Sequence, residues 1–500
     1  MNISTILDMA AEAFGDRVAV AAGTDRLTYG ELRAAAQRAA AQFKASGARY
    51  VALLDLISPA APIALFGAAY AGIPYVPLNY RLTRAEINEL AERVVPAILI
   101  AGSEYLPLLT PREGLRVVER GSFLASVRDG EVPAVQAGDD PQAVAVQLFT
   151  SGTTGKPKAA ILRHENLMSY IMGTVEFGAA GEDDAVLVTV PPYHIAGTSA
   201  VLSSTYACRR MVQMEAFEPT AWLAACREHG VSNAFLVPTM LGRVVDQLAQ
   251  AGDSPNLPKL KAIAYGGGKM PLATIQRAMS LFPKVDFTNA YGLTETSSTI
   301  ALLGPEDHRA AAASREPKIQ KRLTSVGKAT GAVEIQVRDE DGKPLPPNQA
   351  GLVFVRGGQV SGEYLSVGSA LDRDGWFPTR DRGWLDEEGF LFLDGRADDV
   401  IVRGGENISP GEIEETLLTH PAIADAAVVA MPDEEWGEAV AAAVVLKDGA
   451  KTTVAELQQL VKDRLRSSRV PKKIVFKDAL PYNETGKVLR RVIRQEFAAL

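Results

Sequence analysis

The feature that most constrains this chain is an alternation of two patterns. Short runs rich in β-branched residues recur at 50–54, 97–101, 144–149, 185–190, 234–237 and 260–265. Between them lie longer segments, such as TYGELRAAAQRAAAQF at 28–43, that are apolar at helical spacing. Strands that alternate with helices predict parallel sheets covered on both faces. Ligands then bind in the loops at the carboxyl ends of the strands. A chain of 500 residues is also too long for one core, so at least two domains are expected.

The texture changes twice further on. After about Gly327 the strands shorten and turns crowd in: VEIQVRDEDGKPLPP, GLVFVRGG, GFLFLDGR. This predicts antiparallel or barrel-like structure. From about Asp398 the chain reads as a small α+β unit, with helices at 410–419 and 454–464 and strands at 426–430, 440–446 and 473–477. The expected boundary lies at 396–400, dividing the chain into 1–397 and 398–500.

Composition excludes several classes. With 47% apolar and 22% charged residues, the chain does not read as disordered. A net charge of -8 gives no support for general nucleic-acid or anionic-membrane binding. Cys208 and Cys226 are not spaced as a metal or redox pair, and none of the five histidines pairs with a second ligand at metal spacing. They read as reduced thiols of a cytoplasmic protein. The first residues, with Asp8 and Glu12, lack the basic-then-apolar pattern of a secretory signal. Residues 56–78 carry no charge and approach the length of a membrane span, but Pro59, Pro62, Pro74 and Pro77 punctuate them. Ser58 as cap, Pro59 at the first position and Gly72 as a stop predict a short buried helix instead.

Five segments carry chemistry. TSGTTGKPK at 150–158 directly follows the strand at 144–149. Its small residues let backbone approach an anion, and Lys156 and Lys158 add charge. It is not the common nucleotide P-loop, and alone it is nearly as well read as a surface turn. NAYGLTET at 289–296 follows a strand at 285–288. Tyr291 is suited to lie on a purine, Thr294 to donate to a phosphate oxygen and Glu295 to ligate Mg²⁺. The bland reading is a capped helix start with Thr294 as the cap. GWFPTRD at 375–381 and GRADD at 395–399 pair a carboxylate with an arginine, a combination that suits ribose hydroxyls or a plain salt bridge. RGGENISPGE at 403–412 has paired glycines that admit a narrow ligand, ahead of a helix with Ser409 at the cap and Pro410 at the first position. NETGK at 483–487 ends on a lysine that alone would read as solvated surface.

In kind, order and spacing these segments resemble the adenylate-forming superfamily: acyl-CoA synthetases, adenylation domains of peptide synthetases, and luciferases. The resemblance covers essentially the whole chain, from LTYGELRAAAQRAA to TGKVLRR. It implies an α/β fold: a large N-terminal domain of stacked sheets with a barrel-like β subdomain, and a small mobile C-terminal domain. It implies an enzyme that activates a carboxylic acid with ATP and Mg²⁺, then passes the acyl group to a thiol. Thr150, Ser151, Gly152, Thr153, Thr154, Gly155 and Lys158 would hold the β- and γ-phosphates. Tyr291 would stack on adenine, with Gly267, Gly268 and Asn289 around the ring. Thr294 would touch the α-phosphate, Glu295 would help hold Mg²⁺, and Asp381 and Arg396 would bind the ribose. Lys487 would bridge the acid and the α-phosphate, Asp398 would be the hinge, and Gly404 and Gly405 would border the thiol tunnel.

Four positions depart from the family's usual pattern: Ala159 and Arg380 where glycine is common, Lys269 where proline or a small residue is common, and Arg382 where an apolar residue is common. Arg380 and Arg382 flank the ribose carboxylate, to alter nucleotide contacts or to pair with nearby acids. His194, in VPPYHIAG, matches the family position lining the acid pocket and its gate, with Ile195, Thr198, Val237, Pro238 and Ile300 nearby. Ala234 stands where amino-acid-activating domains commonly carry aspartate. That favours an uncharged chain or ring, fatty acids among them, over an amino acid. The thiol is CoA or the phosphopantetheine of an acyl carrier protein. A basic patch for the nucleotide end of CoA, with Arg403, Lys318, Lys321 and Arg322 as candidates, would favour CoA. A catalytically silent nucleotide-binding regulator is the contrasting reading. It is disfavoured because Thr294, Glu295, Asp381, Arg396 and Lys487 are all present.

Overall fold

The first long helix begins where its sequence demands. The Thr28 hydroxyl accepts from the Glu31 N–H, and the Glu31 carboxylate accepts from the Thr28 N–H, capping the helix Tyr29–Ala45. The uncharged stretch that follows is a core helix, Ala60–Ala71; Pro59 already has helical dihedrals, and the Ser58 hydroxyl accepts from the Ala60 N–H at 3.3 Å, as a cap does. It ends at Gly72, whose φ of 71° is the left-handed turn that glycine supplies without strain. Gly67 lets it lie against the first helix: a β-carbon there would stand 3.0 Å from that of Ala39. Among the described residues, no helix is long and apolar enough to cross a membrane. The computed structural model describes residues 1–135, 137–150, 157–251, 255–331, 333–404, 406–482 and 488–498.

Four sheets organise the rest. One has nine strands, in spatial order Lys328–Ala329, Ser298–Leu303, Asp286–Leu293, Ala262–Gly266, Asn233–Leu236, Ala185–Val188, Arg210–Gln213, Val18–Ala22 and Asp25–Thr28. Its central strands run parallel, as the alternating pattern implies. The second has eight strands and contains Tyr50–Leu54, Ala97–Ala101 and Val144–Thr150. A single apolar cluster joins the two sheets, with Val20, Val186 and Met211 from the first and Val51, Leu53, Val146 and Leu148 from the second. The barrel-like region takes the form of a four-stranded antiparallel sheet: Val333–Arg338, Gly351–Gly357, Phe377–Leu385, Leu391–Arg396. The fourth sheet is built wholly from residues after 400 and packs with the helices Pro410–Leu418, Val454–Arg464 and Arg490–Ala498.

His164 ties the amino-terminal helix to the second sheet. Its Nδ1 accepts from the Ile3 N–H at 3.3 Å, and burial pushes its pKa down to about 4. Protonation therefore favours the unfolded chain, so this group costs stability progressively as pH falls from about 6.5 to 4. His164→Gln is expected to remove up to about 3 kcal/mol of that acid sensitivity. Urea titrations at pH 7 and pH 4 read it directly. Equal pH dependence in the variant and the parent would remove His164 from the account.

Candidate active site

The carboxyl ends of two neighbouring parallel strands build the centre of the site. Ala262–Gly266 and Asp286–Leu293 pair with Tyr265 opposite Asn289 and Gly266 opposite Ala290. Gly266 is obligatory there, since a β-carbon would sit 2.1 Å from the Ala290 carbonyl oxygen. Gly267 follows with φ 82°, turning the chain off the strand beside Tyr291. The second strand is longer than its sequence suggests and runs through Asn289 and Tyr291 to Leu293. Asn289 is buried, and its side-chain amide donates to the Ser325 carbonyl at 3.1 Å, bracing the loop beside the strand.

Tyr291 donates its hydroxyl to Asp381 Oδ2 at 2.5 Å, and Arg396 Nη1 donates to Asp381 Oδ1 at 3.2 Å. Asp381 and Arg396 face each other across an antiparallel pair, so the sheet's register itself produces the carboxylate–guanidinium contact. Burial and the neighbouring Asp381 charge push the Tyr291 phenol well above its ordinary pKa. The hydroxyl therefore stays a donor, and its bond fixes the plane of the ring.

Thr294, Glu295 and Thr296 form a single tight turn rather than a helix start. Ser297 and Ser298 leave it at φ 55° and 115°, two successive positive values on non-glycine residues. Gly292 makes room for this return: a β-carbon on it would lie 1.7 Å from the Ser298 carbonyl oxygen. The Glu295 carbonyl accepts from the Ser361 and Gly362 N–H groups at 2.9 and 3.1 Å, and its Oε1 accepts from the Tyr364 hydroxyl at 2.7 Å. Tyr364 lies on a strand paired with Lys158–Arg163, and Lys158 Nζ stands 5.5 Å from its ring centre. No motif announced Tyr364; its role follows from a contact 69 positions along the chain.

Among the described residues, no group of three or more His, Cys, Asp or Glu side chains is placed to enclose a metal ion. A lone buried carboxylate beside hydroxyls suits a hard cation that takes one or two protein oxygens and completes its shell with phosphate and water. Mg²⁺ fits that donor set.

His194 caps the helix Ile195–Tyr206, with its ring 4.5 Å from that of Tyr193. Its Nε2 and the Thr198 hydroxyl are buried without a hydrogen-bond partner among the described residues. Burial, aided by Arg81, pushes the His194 pKa down to about 4, so the ring is neutral near pH 7.

Gly404 has φ 56°; a β-carbon there would meet the Trp436 ring at 2.6 Å. Arg403 lies 5.6 Å from the centre of the same ring. The other three residues of the expected basic patch are engaged elsewhere. Lys318 pairs with Glu387 at 2.6 Å, Arg322 pairs with Asp386 and Glu388, and Lys321 covers the Trp384 ring at 4.7 Å. All three lie against one hairpin, residues 384–392. Ser151, Gly152, Thr153, Thr154, Gly155, Gly405 and Lys487 lie outside the described residues, while Thr150 and Lys158 face each other where their two strands meet.

Comparison with known proteins gives the family. The family model for AMP-binding enzymes matches residues 7–365, and the model for the AMP-binding enzyme C-terminal domain matches 412–487. An indoleacetate–CoA ligase of Aromatoleum aromaticum is 30% identical, over 100% of this chain and 98% of that protein. A fatty acid–[acyl-carrier-protein] ligase, ScoC of Streptomyces coeruleorubidus, is 30% identical over 94% of this chain and 92% of its own. The structure of o-succinylbenzoate CoA synthetase (MenE) from Bacillus subtilis, in complex with the acyl-adenylate intermediate OSB-AMP, superposes with a TM-score of 0.84. It shows 28% identity and covers 98% of this chain and 97% of that one. The chain belongs to the AMP-binding enzyme family of adenylate-forming proteins and is an AMP-forming ligase of the acyl-CoA synthetase type.

The Tyr364–Glu295 bond can be weighed directly. Tyr364→Phe is expected to cost roughly 1.5–3 kcal/mol in denaturant unfolding, the scale of a hydrogen bond to a charged acceptor. In a Glu295→Gln background the cost should fall by about half, because a neutral acceptor binds the hydroxyl less strongly. An identical cost in both backgrounds would mean the carboxylate charge plays no part.

Proposed function

We propose that the enzyme joins an uncharged aliphatic or aromatic carboxylic acid to a pantetheine thiol, with CoA as the acceptor. In the first half-reaction a carboxylate oxygen attacks the α-phosphorus of ATP. The bond from that phosphorus to the bridging β-oxygen breaks, and pyrophosphate leaves. In the second, the thiolate sulfur attacks the acyl carbonyl, the carbonyl–phosphate bond breaks, and AMP leaves.

The observation that carries the assignment of roles is the doubly bonded Asp381, with Tyr291 on one oxygen and Arg396 on the other. It sets a flat ring and a carboxylate edge side by side, the arrangement a nucleoside needs. In this reading the Tyr291 ring stacks on adenine, Asp381 and Arg396 take the ribose hydroxyls, and Thr294 donates to the α-phosphate. Lys158 and the loop before it face the β- and γ-phosphates. Glu295 would hold Mg²⁺ together with phosphate oxygens; when bound, the ion neutralises charge on the polyphosphate. Lys487 brings the acid and the α-phosphate, both anions, together. His194 is a neutral wall of the acid pocket. Gly404 and Gly405 border the path of the thiol.

Residues 398–500 act in this scheme as a mobile unit turning about Asp398. One lysine cannot stay in place while a thiol path opens at the same carbonyl. An acyl carrier protein is a second acceptor reading. It is favoured by the match to ScoC, and the contacts of Lys318 and Arg322 with Glu387 and Glu388 leave less free positive charge for the CoA nucleotide.

Pyrophosphate release screened over fatty, branched and aromatic acids, with CoA present and absent, tests the proposal. Lys487→Ala should slow adenylate formation at least roughly a hundredfold, the scale of a positioned electrostatic group. Thioester formation from supplied acyl-adenylate should survive far better, and equal loss of both in folded protein would refute the division of labour. Asp398→Pro fixes φ and removes an N–H. It is expected to make adenylate at a sizeable rate but transfer it much more slowly, so that adenylate accumulates in single-turnover experiments with radiolabelled acid. Normal thioester production by this variant would end the case for a turning unit.

A further inference from the structure

Three of the positions that depart from the family's usual pattern meet at one seam. Lys269, just past the glycines of the adenine loop, pairs through Nζ with Glu415 Oε1 at 2.5 Å. Arg380, next to the ribose carboxylate, pairs with Asp398 at 3.8 Å. Arg382 lines a cavity of about 180 Å³ with Asp394, Arg396, Ser409, Glu412 and Arg469. Glu412 and Glu415 belong to the helix Pro410–Leu418, so the seam separates the antiparallel sheet and adenine loop from the C-terminal unit.

The two sides touch closely. Ser409 Oγ donates to the Asp394 carbonyl at 2.7 Å, and a β-carbon on Gly411 would lie 2.8 Å from the same oxygen. Burial raises the Asp394 carboxyl, while Lys269 and Arg382 act against that rise and Glu415 and Glu412 add to it. Lys269, Arg380 and Arg382 bring positive charge to the sheet side, beside the buried Asp394, and Glu412, Glu415 and Asp398 bring negative charge to the other, where Arg469 already pairs with Glu412.

Arg380 also has φ 63°, the left-handed region that glycine enters freely and other residues rarely. An arginine is held there at a backbone strain that glycine would avoid. Its guanidinium lies near enough to Tyr364 to act on that phenol's ionisation, so it stands between the Glu295 turn and Asp398.

We propose that Lys269 and Arg380 are positioning residues: their ion pairs with Glu415 and Asp398 hold the C-terminal unit in this orientation and set how the enzyme divides its time between its two half-reactions. The inference rests on the reading of 398–500 as a turning unit. Each pair is about half exposed and individually weak. Weak pairs matter when two orientations are nearly balanced, because a small bias then moves populations severalfold.

A charge exchange tests it. Spin labels at Met172→Cys and Lys451→Cys, both exposed, report the distance between the two sides, since Cys208 and Cys226 are buried. Lys269→Glu and Glu415→Lys are each expected to change the population of the resting distance about threefold or more. The ratio of adenylate-forming to thioester-forming rates should move in the same sense for both. The double variant should return populations and ratio to within about twofold of the parent, which a merely structural role would not do. Arg380→Gly should shift the distances in the same sense while raising thermal stability, as its backbone relaxes. Unchanged distances in folded single variants, or a double variant that is not restored, would overturn the proposal. A parent enzyme that releases no pyrophosphate with any acid would instead count against the proposed function, because the label distances need no substrate.

Discussion

The site depends on one buried carboxylate with both oxygens occupied. Asp381 is 7% exposed and accepts from Tyr291 on one side and Arg396 on the other. Tyr291 comes from the nine-stranded sheet, while Asp381 and Arg396 come from the antiparallel sheet, so this bond is also a joint between sheets. An unpaired carboxylate at that depth would be costly, and the paired one specifies where the two sheets meet. The neighbouring joint works in the same way: Tyr364 crosses from the strand beside Lys158 to the Glu295 turn. Tyr291 and Glu295 are thus each anchored by a residue belonging to another part of the fold.

Much of this was legible in the sequence where local forces decide. The strands at 50–54, 97–101 and 473–477 and the helix at 454–464 occur at the expected residues, because periodicity and flanking turns agree there. The strand bearing Tyr291 is longer than expected: a Tyr-Gly pair reads as a turn, yet Gly292 continues the strand because the returning chain lies against it. The Glu295 turn was open between two readings, a metal-binding carboxylate and a helix start capped by Thr294, and it forms a single 3-10 turn with Leu293 at the cap position. What the sequence could not indicate is which distant group each side chain meets. Lys318, Lys321 and Arg322 form a charge run on paper, but a hairpin 60 or so positions later claims them.

Backbone state was equally hidden at Arg380. Arginine carries no signal for the left-handed region, yet Arg380 sits there at φ 63°, a backbone state that suits glycine. The same holds for Lys269: its charge is visible in the sequence, but its partner lies 146 positions away on another element. Residue types that depart from a pattern can be seen in the sequence; their contacts cannot.

The tight return beside Gly292 has a bearing on heredity. With a carbonyl oxygen 1.7 Å from where a β-carbon would be, the position admits no side chain of any chemistry. Every missense change of that codon adds the same forbidden atom, whatever base is altered. Variation there would be felt first as less folded enzyme in the cell, ahead of any change in which acid it selects. A lineage keeping this turn is therefore bound to glycine at this codon, in which only silent changes can accumulate.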